Sequence, residues 1–467
     1  MSMAYRILLF LLNLAIGFNA CGESGAEPAP PAFKALRYEE TYQALKDLKR
    51  RHGLGDDIKY IALPFLPDAY LSLGGEWRER YQNLHSYEFG LAEFKDDDYL
   101  LQRVLLHGDL HLGSHFRAFI QLGSHYAFGK ANEKSSVEED HFDLQQGFAE
   151  VQFPWGGQTL TIRGGRQEMS FGSERLVSVR NNPNIRRSFD AVRTGFKGGG
   201  FTVDAFYAAP LELKQGVLDD RYDGGQRFWG LYSVFSQPAA RYAPDMDFYY
   251  LGLDRADAVY AQGIADEHRH TLGTRLWRKS GNWDYNFEFA YQFGRFGKDA
   301  ISAWTAASDT GYRWKHVAFK PRMGLKMDII SGDDNPHDRT LKTFNPLFPK
   351  LAYFSENALV VPANLMNVYP YIGIEAAEGV ELSLGWDFLW RYSVHDAFYV
   401  NPFQPLDGTD QSRGRYIGSE LTLDAGWQIN RNIQLNFAYV HLFTGSVLRS
   451  VKANDVDFLM LMTSYRF

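Results

Sequence analysis

The sequence predicts an all-β fold, a transmembrane antiparallel up-and-down β-barrel of about 18 strands, and three observations support this prediction. Residues 283–293 alternate strictly between aromatic side chains and polar or small ones, as in a strand with one face toward lipid. Residues 455–467 show a similar apolar alternation and stop at Phe467. No apolar run beyond the N-terminal region approaches the roughly 20 residues that a membrane-spanning helix needs.

The composition agrees with a barrel better than with several soluble domains. The chain of 467 residues contains 35 Phe and 27 Tyr, yet its mean hydropathy is slightly polar at -0.34. Barrel strands average out in this way because lipid-facing and lumen-facing residues alternate along each strand. No Pro/Ser-rich or charged linker follows Leu66, so one continuous architecture is favoured over a soluble β-sandwich or a string of domains.

The N-terminal part of the chain differs from the rest. Residues 1–26 have the layout of a secretory signal peptide, with a short apolar stretch and small residues before a cleavage point at Ala26. An alternative is lipidation of Cys21, the only cysteine. Residues 27–66 are basic with short helical spacing, and we expect them to form an N-terminal periplasmic or plug segment. Residues 67–467 are then the barrel.

Alternation with a period of two marks the spanning strands in order along the chain. The clearest are Leu71–Tyr81, Leu100–Leu112, Trp283–Phe293, Pro321–Ile329 and Val380–Val394, each close to or above the roughly 9 to 11 residues that cross a bilayer as a tilted strand. An even number of strands is expected of a bacterial barrel, and the terminal strand and weaker candidates bring the number near eighteen. The weaker candidates are 115–127, 141–153, 158–171, 185–196, 200–209, 226–236, 246–254, 266–279, 299–308, 365–375, 415–427 and 431–442.

Charged residues of these strands are predicted to line the lumen, because an Arg or Lys facing lipid at the bilayer midplane costs roughly 2 to 4 kcal/mol. The chain carries a net charge of -7, yet residues 158–196 hold more arginines than acidic residues. A guanidinium group pairs with carboxylates in two-pronged geometry, so these arginines suit an anionic solute. The alternative is that they form ladders with Asp and Glu and serve only the structure. The candidate substrate-binding residues are Arg78, Arg80, Arg103, Arg117, Arg163, Arg166, Arg186, Arg187, Arg193, Arg275, Arg322, Lys326 and Arg391.

Other constellations carry weaker signals. His107, Asp109 and His111 share one strand face and could meet a metal, but no fourth ligand is identifiable. A loop with Asp333, Asp334 and Asp338 has oxygen ligands suited to calcium, although its spacing does not match an EF-hand. A barrel hydrolase using His107, Asp109 and Asp190 with a lumenal Ser is a further alternative that no nucleophile motif supports. We therefore expect no cofactor, no resident metal and no catalytic residues.

Three runs in order resemble the alginate export family of outer-membrane proteins. They are "KYIALPFLPDAYLSLGGEWRERY" at Lys59–Tyr81, "GGRQEMSFGSERLVSVRNNPNIRRSFDAVR" at Gly164–Arg193 and "SGDDNPHDRTLKTFNPLFP" at Ser331–Pro349. The resemblance implies an eighteen-stranded monomeric barrel in the bacterial outer membrane, with a periplasmic gate and a narrow arginine-rich lumen for alginate. Carried over by motif, the basic run includes Arg163 or Arg166, Arg186, Arg187 and Arg193, and the first strand supplies Arg78 and Arg80.

The expected function is passive export of an anionic polysaccharide, alginate or a related uronate polymer, through this lumen. The expected partners are outer-membrane lipid and the polymer, with periplasmic export proteins left open and no nucleic acid. A general or sugar-acid uptake porin is the main alternative. A structural or adhesive barrel with a plugged lumen is another.

Overall fold

The computed structural model describes residues 33–51, 54–91, 96–236 and 243–467, so the predicted signal peptide and Cys21 lie outside the described residues. Eighteen long strands form the fold. In chain order they are β1 Tyr70–His85, β2 Asp97–Leu112, β3 Phe116–Phe128, β4 Asp140–Trp155, β5 Gln158–Gln167, β6 Phe189–Gly198, β7 Phe201–Glu212, β8 Gln226–Phe235, β9 Asp245–Tyr260, β10 Gly263–Ser280, β11 Trp283–Phe296, β12 Asp299–Arg313, β13 Arg322–Ile330, β14 Leu365–Ala377, β15 Val380–Trp390, β16 Tyr416–Gln428, β17 Ile433–Thr444 and β18 Val456–Arg466.

The other elements are short. Two-residue strands lie at Ile61–Ala62, Arg221–Tyr222, Thr340–Leu341, Tyr399–Val400 and Gln404–Pro405. Helical turns lie at Arg37–Glu39, Gln43–Lys46, Leu48–Arg50, Leu54–Asp57, Tyr87–Gly90, Thr409–Gln411 and Ser446–Ser450. Among the described residues, none of the helices has the length and apolar character required to cross a bilayer.

Each long strand pairs antiparallel with the next one, and the first strand pairs with the last. In β1, Trp77 lies opposite Val104 of β2 on one side and opposite Tyr465 of β18 on the other. The sheet therefore closes on itself, which satisfies the backbone groups that an open edge would expose to hydrocarbon. The prediction of an antiparallel barrel of about 18 strands is confirmed.

The two faces of the wall differ in chemistry as the alternation predicts. In β11, Trp283, Phe287 and Phe289 are 58%, 45% and 48% exposed, whereas Glu288 and Gln292 are buried inside the barrel. A strand sends successive side chains to opposite faces, so the aromatic set meets lipid and the polar set meets the lumen. The energetic cost of charge in hydrocarbon thus accounts for the pattern.

One end of the barrel has short turns and the other has long loops. Gly156 and Gly157 connect β4 to β5 with φ angles of 54° and 80°, a conformation that a two-residue hairpin turn requires and that glycine adopts without strain. Both the start of β1 and the end of β18 lie at this end. Since bacterial barrels have short periplasmic turns and longer extracellular loops, the short-turn end faces the periplasm.

Long extracellular segments fold back into the barrel and form its main hydrophobic core. These segments are 168–188, 331–364 and 391–415. Phe348 contacts the inward-facing Phe189 and Phe228 at ring-centroid distances of 5.2 Å and 4.8 Å. Burial of these aromatic side chains stabilises the returned loops, so the core lies inside the barrel rather than between two sheets.

Residues 33–51 and 54–62 lie at the periplasmic end and contact the inner wall. Arg37 donates hydrogen bonds to the carbonyl oxygens of Gly75 and Phe467, each at 2.9 Å. The ring of Tyr38 packs edge-on against Phe119 and Phe148, with centroids 6.2 Å and 5.4 Å away. These contacts connect the N-terminal segment to strands β1, β3 and β4 and to the C-terminal residue.

Candidate functional site

The lumen is the candidate functional site, and the basic side chains of the first two strands lie inside it. Arg78 and Arg80 of β1 are each 1% exposed, and Arg103 of β2 is fully buried. They occupy inward positions because the neighbouring Trp77 and Leu106 face outward and are exposed. Alternation alone therefore predicts the side of the wall on which these arginines lie.

Two of these arginines hold the loop at 168–188 across the lumen. Arg78 donates to the carbonyl oxygens of Asn181 and Pro183 at 2.7 and 2.8 Å. Arg80 donates to the carbonyl oxygen of Asn182 at 2.7 Å. Its second partner is the carboxylate of Glu356, at 3.3 Å. The loop thus lies inside the lumen, and β1 anchors it.

Most of the predicted substrate-binding arginines are neutralised by carboxylates. Arg103 pairs with Glu76 at 2.5 Å, and Arg117 pairs with Asp109 at 2.6 Å. Similar ion pairs join Arg163 to Glu150, Arg166 to Asp143 and Asp190, Arg186 to Glu168, Arg193 to Asp204, Arg275 to Asp247, and Arg322 to Asp284. These pairs agree with the alternative that the arginines form ladders with Asp and Glu and serve the structure.

Arg391 binds backbone carbonyl oxygens of an extracellular loop. It is buried at the extracellular end of β15 and donates to the carbonyl oxygens of Asp396, Thr409 and Ser412 at 3.0, 2.6 and 2.6 Å. Its guanidinium therefore fastens the 391–415 loop, and this geometry indicates a structural role.

Arg186 and Arg187 are adjacent in sequence but have different surroundings. Arg186 donates to both carboxylate oxygens of Glu168, at 2.8 and 2.6 Å, and to the carbonyl oxygen of Ala35 at 2.8 Å. Arg187 lies over the ring of Phe348, 5.2 Å from its centroid. Within the described part of the chain no carboxylate comes within 4.0 Å of Arg187. Burial, with Arg180 next to it, holds the pKa of Arg187 well below its ordinary value.

Arg187 belongs to a group of four cations that meet no carboxylate within 4.0 Å among the described residues, and we call this group the basic cluster. Its members are Arg180, Arg187, Lys326 and Lys350. Arg187 points to the carbonyl oxygen of Pro349 at 3.5 Å, and Lys350 follows Pro349 directly. Lys350 and Lys326 line one cavity of about 220 Å³. Burial lowers the pKa of Arg180 to about 10, which still leaves it charged at neutral pH.

An aromatic wall adjoins the basic cluster. The ammonium group of Lys326 lies 3.3 Å from the ring centroid of Tyr353. Below it, Tyr369 and Tyr371 of β14 stack with centroids 5.4 Å apart and line a cavity of about 550 Å³ together with Arg322. The two cavities share Ala352 in their linings. A polar and aromatic compartment thus extends from the periplasmic half of the wall toward the basic cluster.

These tyrosines and Lys350 were not among the site residues predicted from the sequence. Tyr369 and Tyr371 alternate with the lipid-facing Val368 and Ile372, so the period-two signal was present within a weak strand candidate. Lys350 lies in a loop without periodicity. Only the return of that loop into the lumen brings it beside Lys326.

The weaker candidate sites show ordinary structural contacts. His111 and Arg117 both contact Asp109, at 3.1 and 2.6 Å. Asp190 pairs with Arg166. Among the hydrogen bonds of the described residues, none joins His107 or His111 to a serine hydroxyl.

The suggested calcium loop has a cation of its own. Lys342 pairs with both Asp334 and Asp338. The ammonium group of Lys342 lies 2.8 Å from the Asp338 carboxylate, and this hydrogen bond holds the pKa of Asp338 below its usual range. Asp333 is buried and accepts a hydrogen bond from the backbone of Asn335 at 3.0 Å. The structure therefore does not gather these three carboxylates around one point.

Solved structures of similar fold are porins. A BenF-like porin from Pseudomonas fluorescens Pf-5 matches with a TM-score of 0.57 at 11% identity, over 86% of this chain and 99% of that chain. Pseudomonas aeruginosa OccK5 (OpdH) matches with a TM-score of 0.55 at 14% identity, over 87% and 99%. Pseudomonas aeruginosa OccK2 (OpdF), solved in complex with glucuronate, matches with a TM-score of 0.53 at 12% identity, over 86% and 98%.

Comparison with curated proteins gives no match. A family model does match, and its description is alginate export. The match extends over residues 69–461, which is nearly the whole barrel. This coverage agrees with the resemblance seen in the three sequence runs. The chain therefore belongs to the alginate export family, and it is a channel protein of the bacterial outer membrane.

Proposed function

We propose that the protein is a passive outer-membrane channel for export of an anionic polysaccharide such as alginate, and that the basic cluster is its selective element. The observation that carries this proposal is the contrast within the lumen. Most lumenal arginines are neutralised by Asp or Glu, whereas Arg180, Arg187, Lys326 and Lys350 have no carboxylate within 4.0 Å among the described residues. Arg78 and Arg391 also have no carboxylate partner in that part of the chain, but each binds at least two loop carbonyl oxygens at 3.0 Å or less.

A polymer of uronic acids carries one carboxylate on every sugar. Guanidinium and ammonium groups without a protein carboxylate are available to bind such groups through charge-assisted hydrogen bonds. The neutralised surroundings limit attraction to one short stretch of the path, and conduction requires binding that is weak enough for release. A polyanion can then move by exchanging one carboxylate for the next at the same cations.

The aromatic wall supports a sugar ligand. Tyr353, Tyr369 and Tyr371 have ring surfaces beside Lys326 and Arg322. The faces of sugar rings carry C–H groups that pack against aromatic rings, while the hydroxyl and carboxylate groups meet cations at the edge. This arrangement suits a carbohydrate acid better than a simple inorganic anion.

We also propose that residues 27–66 act as a periplasmic plug. The described part of this segment binds the inner wall through Arg37 and Tyr38, and it lies against strands near β1 to β4. The tyrosine-lined cavity of about 550 Å³ is on strands β12 to β18, so the polymer would enter beside the plug. Release of the plug would widen this entrance.

Planar-bilayer conductance with mannuronate oligomers tests the selective element. The variant Lys350→Glu reverses an exposed charge of the basic cluster and should weaken oligomer block while it keeps the channel folded. The matched control is Arg339→Glu, because the Arg339 side chain is 75% exposed in the same extracellular loop. Equal block in the wild type, Lys350→Glu and Arg339→Glu would refute a selective role for the cluster.

Uptake of sugar acids is the second candidate function. The structure of OccK2 with glucuronate favours it, because that porin of similar fold was solved with a monomeric uronate. Length dependence separates the two functions: an exporter of polymers should be blocked more strongly by longer oligomers, whereas a monomer porin should pass glucuronate and show no such dependence. We expect transport without catalysis in either case.

A further inference from the structure

Four aspartates converge at the extracellular end of β4, away from the basic cluster. Asp140 and Asp143 belong to β4 itself, while Asp219 and Asp220 belong to the loop at 213–225. The loop crosses the strand end in close contact, with the amide of Leu218 donating to the carbonyl oxygen of Phe142 at 3.0 Å. Residues far apart in sequence thus share one small volume.

The oxygen atoms have the spacing of a cation site. One carboxylate oxygen from each of Asp140, Asp143 and Asp220 lies within 4.8 Å of the others. Calcium binds oxygen at 2.3–2.6 Å, so two of its ligands are at most about 5 Å apart. The three oxygens can therefore contact a single ion without a change of backbone.

The site also contains buried polar atoms without a partner. Asp140 is 2% exposed, and its Oδ1 meets no hydrogen-bond donor among the described residues. Oδ1 of Asp219 is likewise buried and unpartnered. His125 is 1% exposed, its Nδ1 lies 4.0 Å from Asp140, and neither ring nitrogen has a partner. Buried polar groups normally have partners, so these atoms indicate a further group that the described residues do not supply.

The excess of negative charge among these four aspartates indicates that a cation binds there. Arg166 pairs with Asp143 at 3.4 Å, but its shorter contact of 3.0 Å goes to Asp190. No other ion pair between the described residues joins a Lys or Arg to Asp140, Asp219 or Asp220. Several buried carboxylates with so little compensation are costly unless a metal ion neutralises them.

We propose that Asp140, Asp143 and Asp220 bind one calcium ion, with the Asp219 carboxylate beside the site. The ion fastens the loop at 213–225 to the wall of the barrel. Asp143 already positions the loop, because its Oδ2 accepts hydrogen bonds from the amides of Asp219 and Asp220 at 2.8 and 3.0 Å. All-oxygen ligands with several carboxylates favour calcium over zinc or copper. The proposal is independent of the solute that the channel carries.

Calorimetric titration of the detergent-purified, EDTA-dialysed barrel with CaCl₂ tests the proposal. The expected result is one calcium ion per chain. Asp140→Asn should weaken binding by at least about ten-fold, since it removes charge from a ligand at nearly constant shape. The matched control is Asp334→Asn, which changes an exposed aspartate that Lys342 already neutralises and should bind calcium as the wild type does. Asp220→Asn serves as a second ligand variant, with heat-modifiable migration in gels as the check on folding.

Limited trypsinolysis gives a structural readout of the same site. Lys214 and Arg221 flank Asp219 and Asp220 in the loop, so calcium should slow cleavage there in the wild type and not in Asp140→Asn. Absence of calcium binding, binding of zinc alone, or equal affinity in the wild type and in folded Asp140→Asn and Asp220→Asn would overturn the proposal.

Discussion

Removal of the charge on Glu168 is expected to destabilise the barrel strongly. Glu168 and Arg186 form a two-pronged ion pair with contacts of 2.8 and 2.6 Å, and their side chains are 1% and 7% exposed. Loss of one partner of a buried pair costs about 3–5 kcal/mol, because the other charge stays buried without compensation. Arg186 keeps the carbonyl oxygen of Ala35 as an acceptor at 2.8 Å. We therefore expect Glu168→Gln to lower the free energy of unfolding by about 3 kcal/mol.

The assay is reversible urea unfolding in lipid vesicles, followed by tryptophan fluorescence. Asp68→Asn is the control, since it neutralises an aspartate whose ion pair with Lys46 is exposed to solvent. That control should leave the unfolding midpoint unchanged, because exposed pairs contribute little. A loss below about 1 kcal/mol in Glu168→Gln would refute the reasoning, as it would mean that lumenal water screens the pair as at an open surface.

Two further predictions concern the plug and the lipid face. Burial lowers the pKa of Lys59 from 10.5 to about 7, so the docked segment holds a neutral lysine above pH 7 whereas a released segment stays charged. Docking should strengthen as the pH rises from 7 toward 10, and Lys59→Met should remove this trend, as measured by the mobility of a spin label at the exposed position 44. Leu272→Arg on the lipid face of β10 should cost about 2–4 kcal/mol of unfolding free energy in the same vesicles, whereas Gln411→Arg in an exposed loop should not.

Much of the fold could be predicted because the signal is local. The alternation in Trp283–Phe293 and Val380–Val394 depends only on neighbouring residues, and lipid on one face enforces it. Strand edges were less predictable: the prediction of 158–171 extends past the observed end at Gln167. Residues 168–171 belong to the returning loop, whose direction depends on anchors such as Arg78 in a distant strand.

The candidate site was predicted less completely. Sequence placed Arg186 and Arg187 together in one basic run, but the structure separates a residue paired with Glu168 from one that meets no carboxylate within 4.0 Å in the described chain. Lys350 and Tyr353 gave no signal as neighbours of Lys326. Such pairing depends on strand register and on loops that return into the lumen, which no short sequence pattern records.

The sequence by itself determined the membrane barrel, the approximate strand number and the face to which most strand charges point, because the cost of placing charge in hydrocarbon acts on every residue separately. Tertiary structure alone decided which charges are neutralised and which are available. It also joined Asp143 to Asp220 across two loops and several strands. The physical reason is that the energy of a charge inside the lumen depends on its partners within a few ångströms, and those partners come from distant parts of the chain.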